Sequence, residues 1–164
     1  MKTYHVDLEK VRARYDHPGI RYVAMSGIRA DVLEERHAKL SMPLGDLHIN
    51  HVGTAYAGSI FIAIELSAAA LFFCTYGVEE WVPIVRSVTV DYLKPTKLEL
   101  TADLSLTAEE AAEKIAPVEE RGRGSYTVEV PLRDVAGTLV ASAKVVLYIL
   151  PFTRELMKGD DKTE

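Results

Sequence analysis

Glu65 carries the clearest chemical signal in this chain. It is the single charged residue in the run of twenty-five residues from 53 to 77, GTAYAGSIFIAIELSAAALFFCTYG. A carboxylate in apolar surroundings persists where it is paired, hydrogen-bonded or retained for chemistry. Burial would raise its pKa, which suits a base that works near neutral pH. We therefore take Glu65 as a candidate catalytic base or nucleophile.

The residues that precede this acid could supply the complementary groups. A helix that begins near Thr54 would place the backbone N–H groups of Ala57 and Gly58 in its first turn, where they lack intrahelical partners and favour negative charge. Gly58 would also allow a carbonyl group to approach the backbone closely. Asn50 could hold that carbonyl or a nucleophilic water, and His51 is a further catalytic candidate. These groups fit attack on a polarised acyl carbonyl.

Each of these residues also has a purely structural interpretation. Glu65 could pair with Arg86, whose position on a predicted strand matches the inward-facing parity. Asn50 could close an Asx turn, and His51 could donate to a backbone carbonyl. His48 and His51 form an H-x-x-H pair, but no third ligand is nearby, so we predict no metal site. We predict no cofactor either.

The long apolar run has two interpretations as an element. Roughly 20 apolar residues suffice to span a bilayer, yet neither flank carries the basic cluster that would orient a span. We interpret it as a buried helix over 54–77, with Thr54 as N-cap and Gly77 as its end. Because it is apolar on nearly every face, we expect other elements to surround it.

The rest of the chain supplies those elements. A helix is predicted over 4–15 and a short helical excursion over 108–116. Alternating apolar and polar residues predict strands, and short connections favour antiparallel pairing. The predicted strands cover 21–30, 38–44, 82–92, 98–106, 126–132 and 139–149. This order indicates an α+β fold in which a curved antiparallel sheet wraps a central helix, in a single domain over 1–164 with a frayed tail at 158–164.

Composition narrows the possible partners and the location. The chain has 164 residues, a net charge of −5 and one cysteine, Cys74. The acidic balance and the lack of a basic stripe disfavour nucleic acid. The lone cysteine excludes an intrachain disulfide framework, and the charged N-terminus lacks the apolar segment of a secretory signal. We expect a cytoplasmic protein without a membrane partner.

The layout and the residues that lead to the acid resemble a known family. Residues 56–65, YAGSIFIAIE, are similar to the HGGxxFxLAD element of PaaI-like thioesterases, with Tyr56 in place of His and Ala57 in place of Gly. Residues 50–54, NHVGT, are similar to the N-H-x-G-T element of YiiD-type thioesterase domains. The chain thus resembles the hotdog-fold thioesterases.

That resemblance implies hydrolysis of an acyl thioester, carried on coenzyme A or an acyl carrier protein. Glu65 would be the base or nucleophile. Because about 10 Å of helix separates Gly58 from Glu65, one chain cannot easily direct both at one carbon. We therefore expect a homodimer, or a dimer of dimers, in which Glu65 faces Asn50 and Gly58 of the neighbouring subunit.

Further residues are predicted to contact the substrate. Thr54, Tyr56 and Ala57 would line the reacting end. Basic side chains near strand ends would bind the phosphates of the carrier; these are Lys94, Lys97, Arg121 and Arg123. Arg86, within a predicted strand, is a further candidate for contact with the substrate.

Two other functions stay open at this point. A hotdog dehydratase or hydratase would share proton transfers between His51 and Glu65. A non-catalytic dimer that binds acyl-CoA would explain why Tyr56 and Ala57 depart from the His-Gly pattern.

Overall fold

A six-stranded antiparallel sheet packs around one long helix. The computed structural model describes residue 2 and residues 4–153. The helices are α1 (Leu8–Asp16), α2 (Arg21–Ser26), α3 (Ala57–Tyr76) and α4 (Ala108–Arg121), with a 3-10 turn at Asp46–His48. The strands are β1 (Arg29–Glu34), β2 (His37–Met42), β3 (Trp81–Tyr92), β4 (Leu100–Ser105), β5 (Gly124–Asp134) and β6 (Leu139–Pro151).

The sheet order places β3 at an edge. The strands run β1-β2-β4-β5-β6-β3, and every neighbouring pair is antiparallel. Helix α3 contacts all six strands, and the core is formed by the inward apolar residues of the sheet together with α3. The predicted α+β architecture with a central helix is confirmed.

Helix α3 ends where the sequence predicts but begins later. Gly77 caps its C-terminus with a φ of 76°, and a Cβ there would lie 2.8 Å from the carbonyl oxygen of His5, so glycine is required. The N-cap is Tyr56. The prediction of Thr54 as N-cap is wrong because Thr54 is held in the preceding loop by hydrogen bonds to Asn50.

One face of α3 is open, so the expectation that other elements surround it completely is wrong. The sheet covers most of the helix, but one stripe at helical spacing is only partly buried or exposed. We call this stripe the open face; it comprises Ala57, Gly58, Phe61, Ile62, Glu65, Leu66, Ala69 and Phe73. Among the described residues, α3 is the one helix long and apolar enough to span a membrane, and more than half of it is buried inside the protein, as in a core helix.

The region before β1 differs from the prediction of a strand over 21–30. Residues 21–26 form the short helix α2, which ends at Gly27 with a φ of 63°. The Ser26 hydroxyl donates to the Val23 carbonyl at 2.7 Å and secures that last turn. The strand prediction is therefore wrong for 21–28, and β1 starts at Arg29.

The two flanking helices also have different bounds from those predicted. Helix α1 begins at Leu8 rather than at residue 4, because Asp7 caps it by accepting from the Lys10 N–H at 3.1 Å. Helix α4 continues beyond the predicted 108–116 to Arg121. Thr107 and Glu110 form a capping box at its start. The predicted tail at 158–164 lies outside the described residues.

Candidate functional site

Glu65 lies in the middle of the open face of α3 and is half-buried. Within residues 4–153, its carboxylate has no hydrogen bond and no ion pair. Burial raises its pKa above the usual carboxyl value, and no charge among the described residues opposes that shift. The raised pKa makes this carboxylate a stronger base than an exposed glutamate.

A cleft of about 700 Å³ opens beside this carboxylate. Its floor is the second half of the open face, with Glu65, Leu66, Ala69 and Phe73. Its outer wall is α1 together with residues 17–23. A cleft of this size is typical of small-molecule sites.

Asn50 closes the loop that leads into α3. Its Oδ1 accepts hydrogen bonds from the backbone N–H groups of Val52 and Thr54, both at 3.1 Å, and its Nδ2 donates to Thr54 Oγ1 at 3.0 Å. The Asx turn that was the structural alternative is therefore present. Because Oδ1 is occupied, the side chain is fixed as a donor, and one N–H of Nδ2 has no partner within residues 4–153.

The N-terminus of α3 carries backbone N–H donors that have no partner among the described residues, and an aromatic ring lies over one of them. The first intrahelical hydrogen bond runs from the Ile60 N–H to the Tyr56 carbonyl at 3.0 Å, so the N–H groups of Ala57 and Gly58 precede it. The ring of Tyr56 lies across Gly58, since a Cβ there would be 2.4 Å from Tyr56 Cε1. Gly58 was expected to let a substrate carbonyl approach the backbone closely. The space beside it is partly filled by the half-exposed side chain of Tyr56.

The two histidines before α3 have different roles. His48 is buried; its Nε2 donates to the Ser26 carbonyl at 2.7 Å, and its Nδ1 accepts from the Gly45 N–H at 3.1 Å. His51 is exposed on the loop. No group of three or more His, Cys, Asp or Glu side chains suited to a metal occurs among the described residues.

Arg86 does not contact Glu65. It donates to Ser125 Oγ at 3.3 Å and lies 5.7 Å from the centre of the Tyr148 ring. The pairing of β3 with β6 shifts between Val85 and Ser87, which interrupts the alternation of side chains at this position. The hypothesis of a Glu65–Arg86 ion pair is therefore wrong for the single chain.

Lys94 and Lys97 lie near the N-terminus of α3. Both are exposed in the segment between β3 and β4. The carbonyl of Thr96 between them accepts from the Ala55 N–H at 2.8 Å, which attaches this segment to the entry of the helix. These two lysines are the basic residues on the β3–β4 connection beside the candidate donors.

Arg121 and Arg123 lie at the other end of the sheet. They come just before the start of β5, where Gly124 pairs with Ile149 of β6. Lys94 follows the end of β3, which pairs with β6 at Ala141. Eight residues of strand separate these points, about 27 Å, so one chain does not bring all the predicted phosphate contacts together.

Two residues of α1 contribute to the site and were not predicted from the sequence. The Tyr15 hydroxyl donates weakly to the Leu66 carbonyl at 3.4 Å, and Arg14 stacks 4.9 Å from the centre of the Phe73 ring. Burial raises the pKa of Tyr15, and the nearby Cys74 and Glu65 raise it further. The available signal was the position of Tyr15 at the end of a predicted helix, just before the break at residues 17–19.

Comparisons with known proteins agree with this architecture. Residues 19–149 match the family described as Domain of unknown function (DUF4442). No curated protein sequence matches significantly. A Pseudomonas aeruginosa protein of unknown function, a probable thioesterase, shares 30% identity at a TM-score of 0.79, with 92% of this chain and 100% of that chain covered.

Two more distant solved structures share the fold. A mutant thioesterase from Pseudomonas aeruginosa has 15% identity and a TM-score of 0.68, with 89% of this chain and 95% of the other covered. The phenylacetic acid degradation protein PaaI from Thermus thermophilus has 16% identity and a TM-score of 0.58, with coverage of 79% and 98%. The match to the family spans most of the chain, and the fold agrees with these structures. This chain belongs to the DUF4442 family and has the hotdog fold of the thioesterases.

Proposed function

We propose that this protein hydrolyses acyl thioesters of coenzyme A or an acyl carrier protein, with Glu65 as the catalytic base. The observation that carries the proposal is the half-buried carboxylate of Glu65, which has no partner among the described residues and lies beside a cleft of about 700 Å³. The 30% identity to a probable thioesterase supports the same reaction class.

The proposed reaction uses donors on one side of the carbonyl and the base on the other. The N–H groups of Ala57 and Gly58 and the remaining N–H of Asn50 Nδ2 stabilise the negative charge that develops on the thioester oxygen. Glu65 accepts a proton from a water as the water oxygen bonds to the carbonyl carbon. The C–S bond then breaks, the thiolate takes the proton from Glu65, and a carboxylic acid and a free thiol leave. Direct attack by the carboxylate is the nucleophilic variant of this scheme.

A two-fold homodimer would bring these groups to one carbon. Gly58 and Glu65 lie about 10 Å apart along the helix of one chain. Strand β3 offers an edge of twelve residues with no partner on its outer side within the described residues, and it exposes Ile84 and Val85. An exposed apolar edge favours pairing with another strand. We propose that Glu65 of one subunit faces Asn50 and Gly58 of the other, with a dimer of dimers as the larger assembly.

The carrier would leave the site toward the lysines near the entry of α3. Lys94 and Lys97 are exposed there and could bind its phosphates. Three arginines lie toward the opposite end of the sheet from these lysines: Arg86, Arg121 and Arg123. Their contact with the substrate stays a prediction, and it would have to be made across subunits. We also propose a cytoplasmic location, consistent with a single buried cysteine.

Replacement of Glu65 by Gln tests the proposal directly. Thiol release from butyryl-, decanoyl- and palmitoyl-CoA would be measured for the wild type, E65Q and the matched control E129Q, which changes an exposed acid on β5. Loss of a general base should lower kcat by about 10²- to 10⁴-fold, and E129Q should keep the wild-type rate. Circular dichroism would establish that both variants fold.

Three outcomes would contradict the proposal. Equal rates for the wild type and E65Q would remove Glu65 from the chemistry. Hydration of an enoyl-CoA without release of thiol would indicate the dehydratase reaction instead. Tight binding of acyl-CoA without turnover by the wild type would indicate a binding protein.

A further inference from the structure

The two halves of the open face of α3 differ in what covers them. In the first half, Gly58 lies under the ring of Tyr56 and Phe61 is exposed. A cavity lined by Ile62 of this half measures about 40 Å³, which is too small for more than a few atoms. The second half is the floor of the 700 Å³ cleft beneath α1. Glu65 lies at the boundary between them.

We propose that this cleft holds the acyl chain of the substrate, that the chain runs from Glu65 toward Phe73, and that Ala69 determines how long it can be. The proposal rests on the proposed thioester hydrolysis, because that reaction places the acyl carbonyl at Glu65. The acyl chain is placed in this cleft and not between α3 and the sheet, because the sheet-facing side of α3 is filled by core residues such as Ile64 and Ala68, both with no exposed surface.

The lining of the cleft suits an uncharged chain. Apolar groups from the outer wall and the floor predominate; they include Ala13, Ile20, Val23, Leu66, Ala69 and Phe73. Burying methylene groups against such surfaces contributes about 0.8 kcal/mol each.

The lysine and arginine that line the cleft have other partners. Lys10 pairs with Asp7 at 3.5 Å and also with Glu79. Arg14 stacks on Phe73 at the end of the cleft away from the N-terminus of α3. His17 also lines the cleft, from the outer wall, whereas the residues that α3 contributes after Glu65 are apolar: Leu66, Ala69 and Phe73.

The length of the path sets the size of the acyl group. Eight residues separate Glu65 from Phe73, which is about 12 Å of helix. A carbon chain with bonds of about 1.5 Å at tetrahedral angles advances about 1.3 Å per atom, so roughly nine carbons fill the path. Ala69 lies halfway, one helical turn from each end, and its methyl side chain is half-buried on the cleft floor. A larger side chain there would stop the chain after about four or five carbons.

Substitution of Ala69 by Leu tests this assignment. The kcat/KM of the wild type and A69L would be measured with butyryl-, octanoyl- and decanoyl-CoA. We expect A69L to lower the ratio of the decanoyl-CoA value to the butyryl-CoA value by at least about tenfold, as a bulkier pocket residue discriminates by one or more methylenes. The matched control is A112L, the same change at a half-buried helix position that lines a different cavity, beside α4.

A binding measurement separates failure of this proposal from failure of the proposed function. Calorimetry would measure the binding of butyl- and decyl-CoA thioethers, which cannot be hydrolysed, to wild type, A69L and A112L. Thermal melts would establish that all three proteins fold. Selective loss of decyl-CoA binding in A69L supports the assignment even if no thioester is hydrolysed. If the wild type hydrolyses decanoyl-CoA and A69L retains its full chain-length profile, the proposed function stands and this assignment is overturned. The same profile change in A112L would also overturn it.

Discussion

At the scale of single residues, Glu65 combines partial burial with the lack of any neutralising partner among residues 4–153. Its raised pKa means that the folded protein holds this proton more tightly than the unfolded chain does. Proton binding and stability are therefore linked at this position. The linkage gives a test of the environment of Glu65 that does not depend on any substrate.

The free energy of unfolding of the wild type, minus that of E65Q, should fall as pH rises. Below the ordinary carboxyl pKa, both states of the wild type are protonated and burial of Glu65 carries no ionic cost. From there up to the raised folded-state pKa, the unfolded chain loses its proton first, so unfolding becomes easier; above that pKa the difference levels off. Urea unfolding of both proteins across this pH range measures it, because the glutamine side chain of E65Q does not titrate.

A pH-independent difference between the two proteins would contradict the environment described for Glu65. A difference that increases with pH would imply a counter-charge that stabilises the ionised carboxylate. Subtracting E65Q removes the contributions of the other acids, such as Asp134, whose pKa is lowered by hydrogen bonds from Thr96, Thr138 and Ala136 despite its burial.

At the scale of elements, α4 shows the strongest local determinants. The Thr107 hydroxyl accepts from the Glu110 N–H at 3.1 Å, and the Glu110 carboxylate accepts from the Thr107 N–H at 2.8 Å. This capping box lowers the pKa of Glu110. Below it, Ala111, Ile115 and Val118 are buried. The helix therefore begins where its side chains satisfy its own free N–H groups.

Replacement of Thr107 by Ala should destabilise the protein by about 1 kcal/mol, because the first turn of α4 loses its side-chain acceptor. Thr107→Ser keeps the hydroxyl and should retain most of that free energy. Urea denaturation measures both values. Hydrolytic activity should not change in either variant, since α4 lines neither the Glu65 cleft nor the entry of α3; equal stability of the Ala and Ser variants would contradict the role of the cap.

The same scale explains what the sequence could and could not predict. The long apolar run predicts α3 because length and composition together specify a buried helix. The segment 21–26 is only six residues long and contains Tyr22 and Val23, which favour strands, so its helix depends on the termination at Gly27. The direction of Arg86 depends on a bulge, which is a property of strand register and leaves no mark in the alternation of residues.

The cleft and the open face were also beyond sequence patterns. They arise because α1 packs across one part of α3 and leaves another part uncovered, and this is a tertiary arrangement. Glu65 could be predicted as a candidate, since a lone charge in an apolar run is visible in the sequence. The wall formed by Arg14 and Tyr15 could not, because neither residue type is unusual at the end of a surface helix.

At the scale of the whole molecule, the proposed site requires two chains. Asn50 is fixed as a donor by its own loop, and Glu65 lies on the open face of α3 in the direction that no described element covers completely. Asn50→Asp should preserve the loop, because a carboxylate oxygen also accepts from Val52 and Thr54, but it removes the N–H donor. The loss of one donor to a developing oxyanion typically lowers kcat by about 10²- to 10³-fold.

A heterodimer of E65Q and N50D subunits should regain activity. One of its two sites would contain both substitutions, and the other would contain neither, so the isolated heterodimer should show about half of the wild-type rate. Co-expression with two different affinity tags would yield that species, and each homodimeric variant serves as its control. A heterodimer no more active than its parents would place Asn50 and Glu65 of a site in the same chain.

The half-buried carboxylate of Glu65 also implies a trade-off between thermal stability and catalysis. Helix α3 would pack against α1 more favourably with an aliphatic residue at position 65, so a protein selected only for stability would gain from that substitution. Leu in place of Glu65 should therefore raise the melting temperature near neutral pH while abolishing turnover. Natural selection for catalysis would then be acting against thermal resistance at this single position.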